Sequence, residues 1–244
     1  MDRSDLTNTV LCALDNSTYE RIAPHLTHAS FERGELFHEP NAPINRVYFP
    51  HAGVVSLLTV MADGSAIETS TVGRESAIGL AAAIAPARSF NRAIGQAAGI
   101  VSSIEAERLR LVSRDAPRLR EVIMRHADAL LAQAQQSVAC NALHDVEERF
   151  CRWLLACHDR TGSDEIQLTQ EFLAMMLGVQ RTTVTQVAGM LQSAGLIRSL
   201  RGRIEILDRA GLEQRSCECY AIVRDYFEVV APAPRRAGRT IARA

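Results

Sequence analysis

A chain of 244 residues with 47% hydrophobic content can bury two cores, so two domains are expected. The opening Met1-Asp-Arg-Ser-Asp leads into no apolar signal segment, and the longest apolar run, Ile78 to Pro86, is too short and too alanine-rich to span a bilayer. A cytoplasmic protein without a membrane partner is the expectation; the formal net charge is −1, and all 27 basic residues are arginine, which reads as codon bias in a GC-rich genome.

Leu6 to Leu26 reads as helical cover at the N-terminal end of a strand-rich region. Its strand-like runs are punctuated by glycine and asparagine: Ser30 to Phe37, Arg46 to Phe49, Gly53 to Val60, Ala66 to Val72 and Ala93 to Ile104. Asp63-Gly64 between two of them is a hairpin signal. Short strands at regular spacing predict an antiparallel sandwich or barrel, and the absence of His-x-His removes support for a metal-binding cupin enzyme. Pro117 then suits the first turn of a helix running to about Asn141. Ile123, Ala127, Leu130, Ala134 and Ser137 or Val138 alternate in spacings of four and three, the rhythm of a two-stranded dimerisation seam or of one amphipathic helix lying on its own domain.

The six cysteines, Cys12, Cys140, Cys151, Cys157, Cys217 and Cys219, form no Cys-x-x-Cys pair and no Cys/His spacing suited to zinc. They read as small buried hydrophobes, no metal site is expected, and a redox role of Cys217 and Cys219 stays open.

Residues 168–191 carry the clearest functional signal. Thr169 can cap a short helix with Glu171 in its first turn, and Phe172, Leu173 and Met176 make its apolar stripe. Gly178 can take the positive φ that turns the chain. Val184, Val187 and Leu191 bury one side of a second helix, whose other side holds Gln180, Arg181, Thr182, Thr185 and Gln186. This is a helix-turn-helix with a readable outer face, the alternative being an ordinary helical hairpin. Leu196 to Leu200 and Arg203 to Leu207 flank Arg201-Gly202 as a wing. From 181 to 209, Arg181, Arg198, Arg201, Arg203 and Arg209 against Glu205 and Asp208 give +3, the electrostatic footprint of a DNA reader. Asp208 can cap a further helix, and the Pro- and Arg-rich tail from Ala231 reads as a solvated terminus. No nucleophile–base pair, metal box or phosphate loop appears, so no enzyme and no cofactor are expected.

This order of parts resembles the Crp/Fnr family of bacterial transcription regulators over nearly the full length. Val47-Tyr-Phe-Pro50, Gly53-Val-Val-Ser-Leu57, Val72-Gly-Arg-Glu75, Trp153 to Asp159 and Leu207 to Leu212 carry a likeness to one branch. The resemblance implies an α+β fold: an N-terminal antiparallel β-roll of the cyclic-nucleotide-binding jelly-roll type over 1–113, a dimerisation helix over 114–143, a C-terminal winged helix-turn-helix over 144–217, and a C-terminal helix and tail over 218–244.

The family pattern Gly-x-Ser-Arg-x-Thr-Val is met by Gly178-Val-Gln-Arg-Thr-Thr-Val184. That puts Arg181 at the base-reading arginine and Thr183 at a phosphate-contacting hydroxyl. Thr182 stands where glutamate is frequent, and Gln186 replaces a second arginine, so a different target sequence is implied. The expected DNA-binding set is therefore Thr169, Gln180, Arg181, Thr182, Thr183, Thr185, Gln186, Arg201 and Arg203.

Family members that bind cyclic nucleotides use a Gly-Glu pair and a following Arg-Ser or Arg-Thr. Here Ile78-Gly79-Leu80 lacks the glutamate, while Arg88-Ser89, with Arg92 nearby, suits a phosphate but precedes the bulky Phe90. Gly79, Arg88, Ser89 and Arg92 are thus the candidate remnant of an effector pocket, cyclic AMP is not expected to bind, and the effector is unknown. Cys12 stands without the N-terminal cysteine cluster of iron–sulfur oxygen sensors. The resulting expectation is a homodimeric regulator with double-stranded DNA, itself and RNA polymerase as partners. The alternative is a winged-helix interaction module that has lost DNA binding.

Overall fold

The computed structural model describes residues 6–230, and the expectations for Met1 to Asp5 and for the tail from Ala231 lie outside them. Two short helices, α1 (Thr9–Cys12) and α2 (Asn16–Ile22), open the described chain, capped by the side chains of Asn8 and Asp15. The strands β1 (Thr27–Phe31), β2 (Leu36–His38), β3 (Arg46–Val60), β4 (Ala66–Val72) and β5 (Arg92–Glu105) come next. They form one antiparallel sheet in the order β1-β5-β3-β4, with β2 also on β5.

The two expected runs on either side of Pro50 are one strand. Proline cannot donate to a ladder, which argues against a central position. Here β4 pairs with β3 only from Val55 onward, so β3 has a single neighbour at Pro50, and its pairing with β5 shifts register there. The run expected over Ser30 to Phe37 divides instead, because the chain turns at Gly34 with φ +85° between β1 and β2.

Phe31, Val55, Val72, Ile78, Ala93 and Val101 fill the interior of the roll, with Phe37, Tyr48, Leu57 and Leu130 packed on them. A second core gathers α1, α2, α3 (Ala106–Arg114) and the first turns of α4 (Pro117–Leu143) around Val47, Phe49 and Ile104. Pro117 occupies the first turn of α4, as expected of a residue whose missing N–H has no partner there anyway.

α4 ends at His144, and α5 (Val146–Thr161) starts at once from an Asp145–Glu148 capping box. The remainder is β6 (Glu165–Gln167), α6 (Gln170–Leu177), α7 (Arg181–Ser193), β7 (Ile197–Leu200), β8 (Arg203–Ile206), α8 (Arg209–Arg215) and α9 (Cys219–Val230). β6, β8 and β7 make a three-stranded wing sheet. The winged domain's core runs from Phe150 and Leu154 through Leu173, Val184 and Leu191 to Ile204, and it includes Leu58 of the roll. The two domains therefore share apolar packing along β3 and β4. No described helix is long and apolar enough to cross a membrane.

Candidate DNA-binding site

Local chemistry sets the reading head. Thr169 Oγ1 accepts from Phe172 N–H at 3.2 Å and starts α6. Gly178 ends that helix at φ +63°, and Val179 N–H returns to Ala174 O at 3.0 Å. Gln180 is the N-cap residue of α7, and Val184, Val187, Ala188 and Leu191 are its buried side. Arg181, Thr182, Thr185 and Gln186 are exposed and Thr183 is half-buried, so the face expected to read DNA is open to solvent. A groove of about 810 Å³ separates this helix from the wing, lined by Thr169, Glu171, Arg181, Leu200, Arg201 and Arg203 among others. One concave surface thus collects the guanidiniums of a recognition helix and of a β-turn.

Several of these groups are already engaged. Arg181 Nη1 pairs with Glu171 Oε1 at 2.6 Å, and Thr185 Oγ1 donates to Gln170 Oε1 at 3.0 Å. Arg203 lies 3.6 Å from Glu165, whereas Arg201 at the wing tip has no ion-pair partner among the described residues. Arg198 faces Glu205 across the wing ladder and bonds it at 2.8 Å. Arg209 turns away from the groove to Asp159 at 2.8 Å and to Glu213 at 3.0 Å. The +3 counted along 181–209 overstates the charge at the groove, because it leaves out two carboxylates from before that segment, Glu171 on Arg181 and Glu165 near Arg203. Sequence reasoning missed Gln192, whose Oε1 accepts from Ser199 N–H at 2.8 Å and pins the wing to α7. It gave Glu171 only a helix-dipole role; its place in the helix that precedes the bend was the available signal.

With this geometry in place, likeness to known proteins can be weighed. The Crp-like helix-turn-helix domain matches residues 148–215. A global nitrogen regulator of Synechococcus elongatus is 26% identical over 194 residues, 76% of this chain and 87% of its own length. The transcriptional regulator SdrP of Thermus thermophilus is 28% identical over 193 residues, 76% of this chain and 92% of its own. Among solved structures, a CRP/FNR-family regulator from Thermus thermophilus superposes with a TM-score of 0.63 at 25% identity, covering 78% of this chain and 98% of that one. A crp/fnr-family regulator from Eubacterium rectale reaches 0.66 at 18% identity over 83% and 94% of the two chains, a likeness of fold alone. Residues 148–215 thus match a Crp-like helix-turn-helix domain, and the chain as a whole is similar to regulators of the Crp/Fnr family. The matched domain and these relatives support a DNA-binding transcription regulator.

Two expectations attached to that family need correction. On α4, Ile123 is only 4% exposed and sits in the core of its own domain, and Leu130 packs onto the roll interior, so neither is free for a partner helix. Ala127 is exposed, Ala134 is half-buried and Val138 is 72% exposed, in line with Met124 at 68% and Leu131 at 57%. The open stripe is Met124, Ala127, Leu131, Ala134 and Val138, so its large side chains stand one residue on from Ile123 and Leu130. The rhythm misled because α4 is apolar on two adjacent faces and spacing alone does not say which one its own domain takes.

The effector-pocket candidates Gly79, Arg88, Ser89 and Arg92 all lie against residues 38–44, with their polar side chains already engaged. Gly79 is left-handed at φ +76°, and a Cβ there would meet Ile44 Cγ2 at 2.8 Å. Arg88 is exposed and donates to Asn41 O at 2.6 Å, Ser89 Oγ donates to Asn91 O at 2.6 Å, and Arg92 pairs with Glu39 at 2.9 Å. Phe90, expected to crowd the site, points outward at 79% exposure. Deeper in the roll, Phe31 packs edge-on against Phe37 at 5.3 Å between centroids, and Phe37 against Tyr48 at 5.0 Å. Leu80 is buried in the neighbouring core, where no acceptor replaces the absent glutamate.

Proposed function

We propose that this protein is a homodimeric, sequence-specific transcription regulator that reads an inverted repeat with Arg181 to Ser193 in successive major grooves. The observation that carries the reading is the groove that presents Arg181, Arg201 and Arg203 on one surface beside the solvent-facing side of α7. The spacing of two such helices about a two-fold axis sets half-sites about one helical turn apart. Thr169 and Thr183 suit phosphate oxygens, while Gln180, Thr182, Thr185 and Gln186 suit base edges.

Met124, Ala127, Leu131, Ala134 and Val138 supply the seam, its small residues allowing close helix approach. In this reading 1–113 is the sensing module, 114–143 the dimerisation segment, 144–217 the DNA-binding module and 218–230 a brace, with RNA polymerase as the partner at promoters. Genome-wide DNA pull-down with the purified protein, followed by footprinting of the strongest site, tests it: the footprint should be two-fold symmetric, and protection without symmetry or sequence preference would overturn it.

The aromatic filling of the roll supports the absence of cyclic AMP from the signalling scheme. Calorimetric titration should give no binding in the micromolar range and no shift of operator affinity; tight binding coupled to DNA affinity would show that the pocket opens.

A further inference from the structure

Four ligand-type side chains far apart in sequence meet where α4, α5 and α9 join. Cys140 lies in the last turn of α4, His144 caps that helix, and Cys217 and Cys219 lie where the chain leaves α8 and enters α9. The Sγ of all three cysteines and a ring nitrogen of His144 lie within 4.8 Å of one another, with the three cysteines buried and the histidine half-buried. We propose that Cys140, His144, Cys217 and Cys219 form a binding site for a single tetrahedral zinc ion, which fastens the winged domain to the dimerisation helix.

The geometry suits one ion. Tetrahedral zinc with Zn–S near 2.3 Å and Zn–N near 2.0 Å sets sulfur–sulfur edges of about 3.8 Å and sulfur–nitrogen edges of about 3.5 Å. Cys140 Sγ lies 3.6 Å from Cys217 Sγ, and Cys219 Sγ lies 3.5 Å from His144 Nδ1. A cluster of several irons spreads its cysteines over different metal atoms and needs a wider cage.

Two outer contacts point the same way. His144 Nε2 stands 3.2 Å from a Glu218 carboxylate oxygen, which leaves Nδ1 turned to the sulfurs. A carboxylate on the far nitrogen fixes the tautomer and ring of a metal-bound histidine. Gln136 Nε2 donates to Cys219 Sγ at 3.0 Å, the kind of bond that steadies a thiolate ligand. No sequence motif announces this set, because the Cys140–Cys217 pair is 77 residues apart.

The position gives the ion a consequence. Only His144 and Asp145 separate α4 from α5, so this is the joint about which the winged domain is oriented. α9 returns along α4, with Phe227 buried and the Tyr226 hydroxyl donating to Asp128. One ion would hold the end of α4, the joint and the exit from the winged domain together.

The test uses the full-length protein, purified under reducing, chelator-free conditions, with metal analysis and cobalt(II) as probe. The expected result is one zinc or cobalt per chain, a thiolate-to-cobalt charge-transfer band, and a rise in thermal midpoint on metal binding. Cys219→Ser should lose the band, and Cys12→Ser should keep it. Glu218→Gln, which leaves all four donors in place, should weaken metal affinity about 10- to 100-fold with unchanged helix content. Absence of a stoichiometric ion from folded reduced protein, a cobalt spectrum without the thiolate band, or a Cys140–Cys217 disulfide that resists those reducing conditions would each overturn the proposal. Chelation should also lower operator affinity at least tenfold; that arm alone rests on the DNA-binding reading, and the metal titration stands without it.

Discussion

In the proposed reading, Arg181 is the side chain on which specificity turns. Its fork can pair with guanine O6 and N7, so Arg181→Ala should cost about 1–3 kcal/mol per half-site and relax the preference at one base position. Arg201→Ala or Arg203→Ala should instead weaken binding to all sequences alike and flatten its salt dependence, since phosphate contacts carry no sequence information. Competition against single-base variants plus a salt titration separates the two; even loss across all variants for Arg181→Ala would make it a backbone contact and pass base reading to its neighbours. Glu171 adds a second expectation. Its carboxylate holds Arg181 at 2.6 Å and repels phosphate, so Glu171→Gln should tighten non-specific binding more than operator binding. Unchanged affinity for random duplex would show that the pair opens without cost.

Among the elements, α4 separates two kinds of substitution that look alike in sequence. Leu131→Glu puts charge on the open stripe and should yield folded monomers by sedimentation. Leu130→Glu puts it against the roll interior and should unfold the N-terminal domain, a loss of several kcal/mol set by burying an unpaired charge. A dimeric Leu131→Glu protein would move the seam elsewhere. The contrast also shows what one dimension of sequence holds. Caps and turns at Thr169, Gly178 and Asp208 were legible because their hydrogen bonds close within three or four residues. The side of α4 that meets its own roll was not, since Ile123 and Met124 are both large and apolar and only the tertiary fold chooses between them. Pro50 hid the continuity of β3 because its rule holds for doubly flanked strands, and β3 is singly flanked at that point.

At the scale of the whole molecule, the domain boundary is polar as well as apolar. Glu68 on β4 accepts from Trp153 Nε1 at 3.2 Å and from Ser56 Oγ at 2.7 Å, and Glu75 holds Arg160 at 2.8 Å. Glu68, Glu75, Trp153 and Arg160 line a cavity of about 390 Å³ between the roll, α5 and α9. Burial lifts the Glu68 carboxyl from 4.5 to about 7, against the opposing pull of Ser56, Arg152 and Arg160. Between those two values the folded chain keeps a proton that the unfolded chain has released. Stability therefore falls as pH rises from 4.5 through 7 and stays lower above it. Glu68→Gln should leave stability near the lower of those pH values nearly unchanged and raise it above the upper one by on the order of 1–3 kcal/mol, read from denaturant melts. Equal effects at both ends would show that the carboxyl ionises freely in the folded protein.

The close fit at Gly178 has a mechanical consequence. A Cβ on Gly178 would lie 2.8 Å from Ile67 Cδ1, so the bend of the reading head rests on the free end of the β3–β4 hairpin. Along that hairpin the pairing shifts register between Leu57 and Leu58, and β3 shifts three more times against β5 between Pro50 and Val55. Bulges bend and twist a strand where they occur, so the direction of the hairpin is set over those residues. In the proposed reading, the angle at which α7 meets DNA is thus inherited from bulges in another domain.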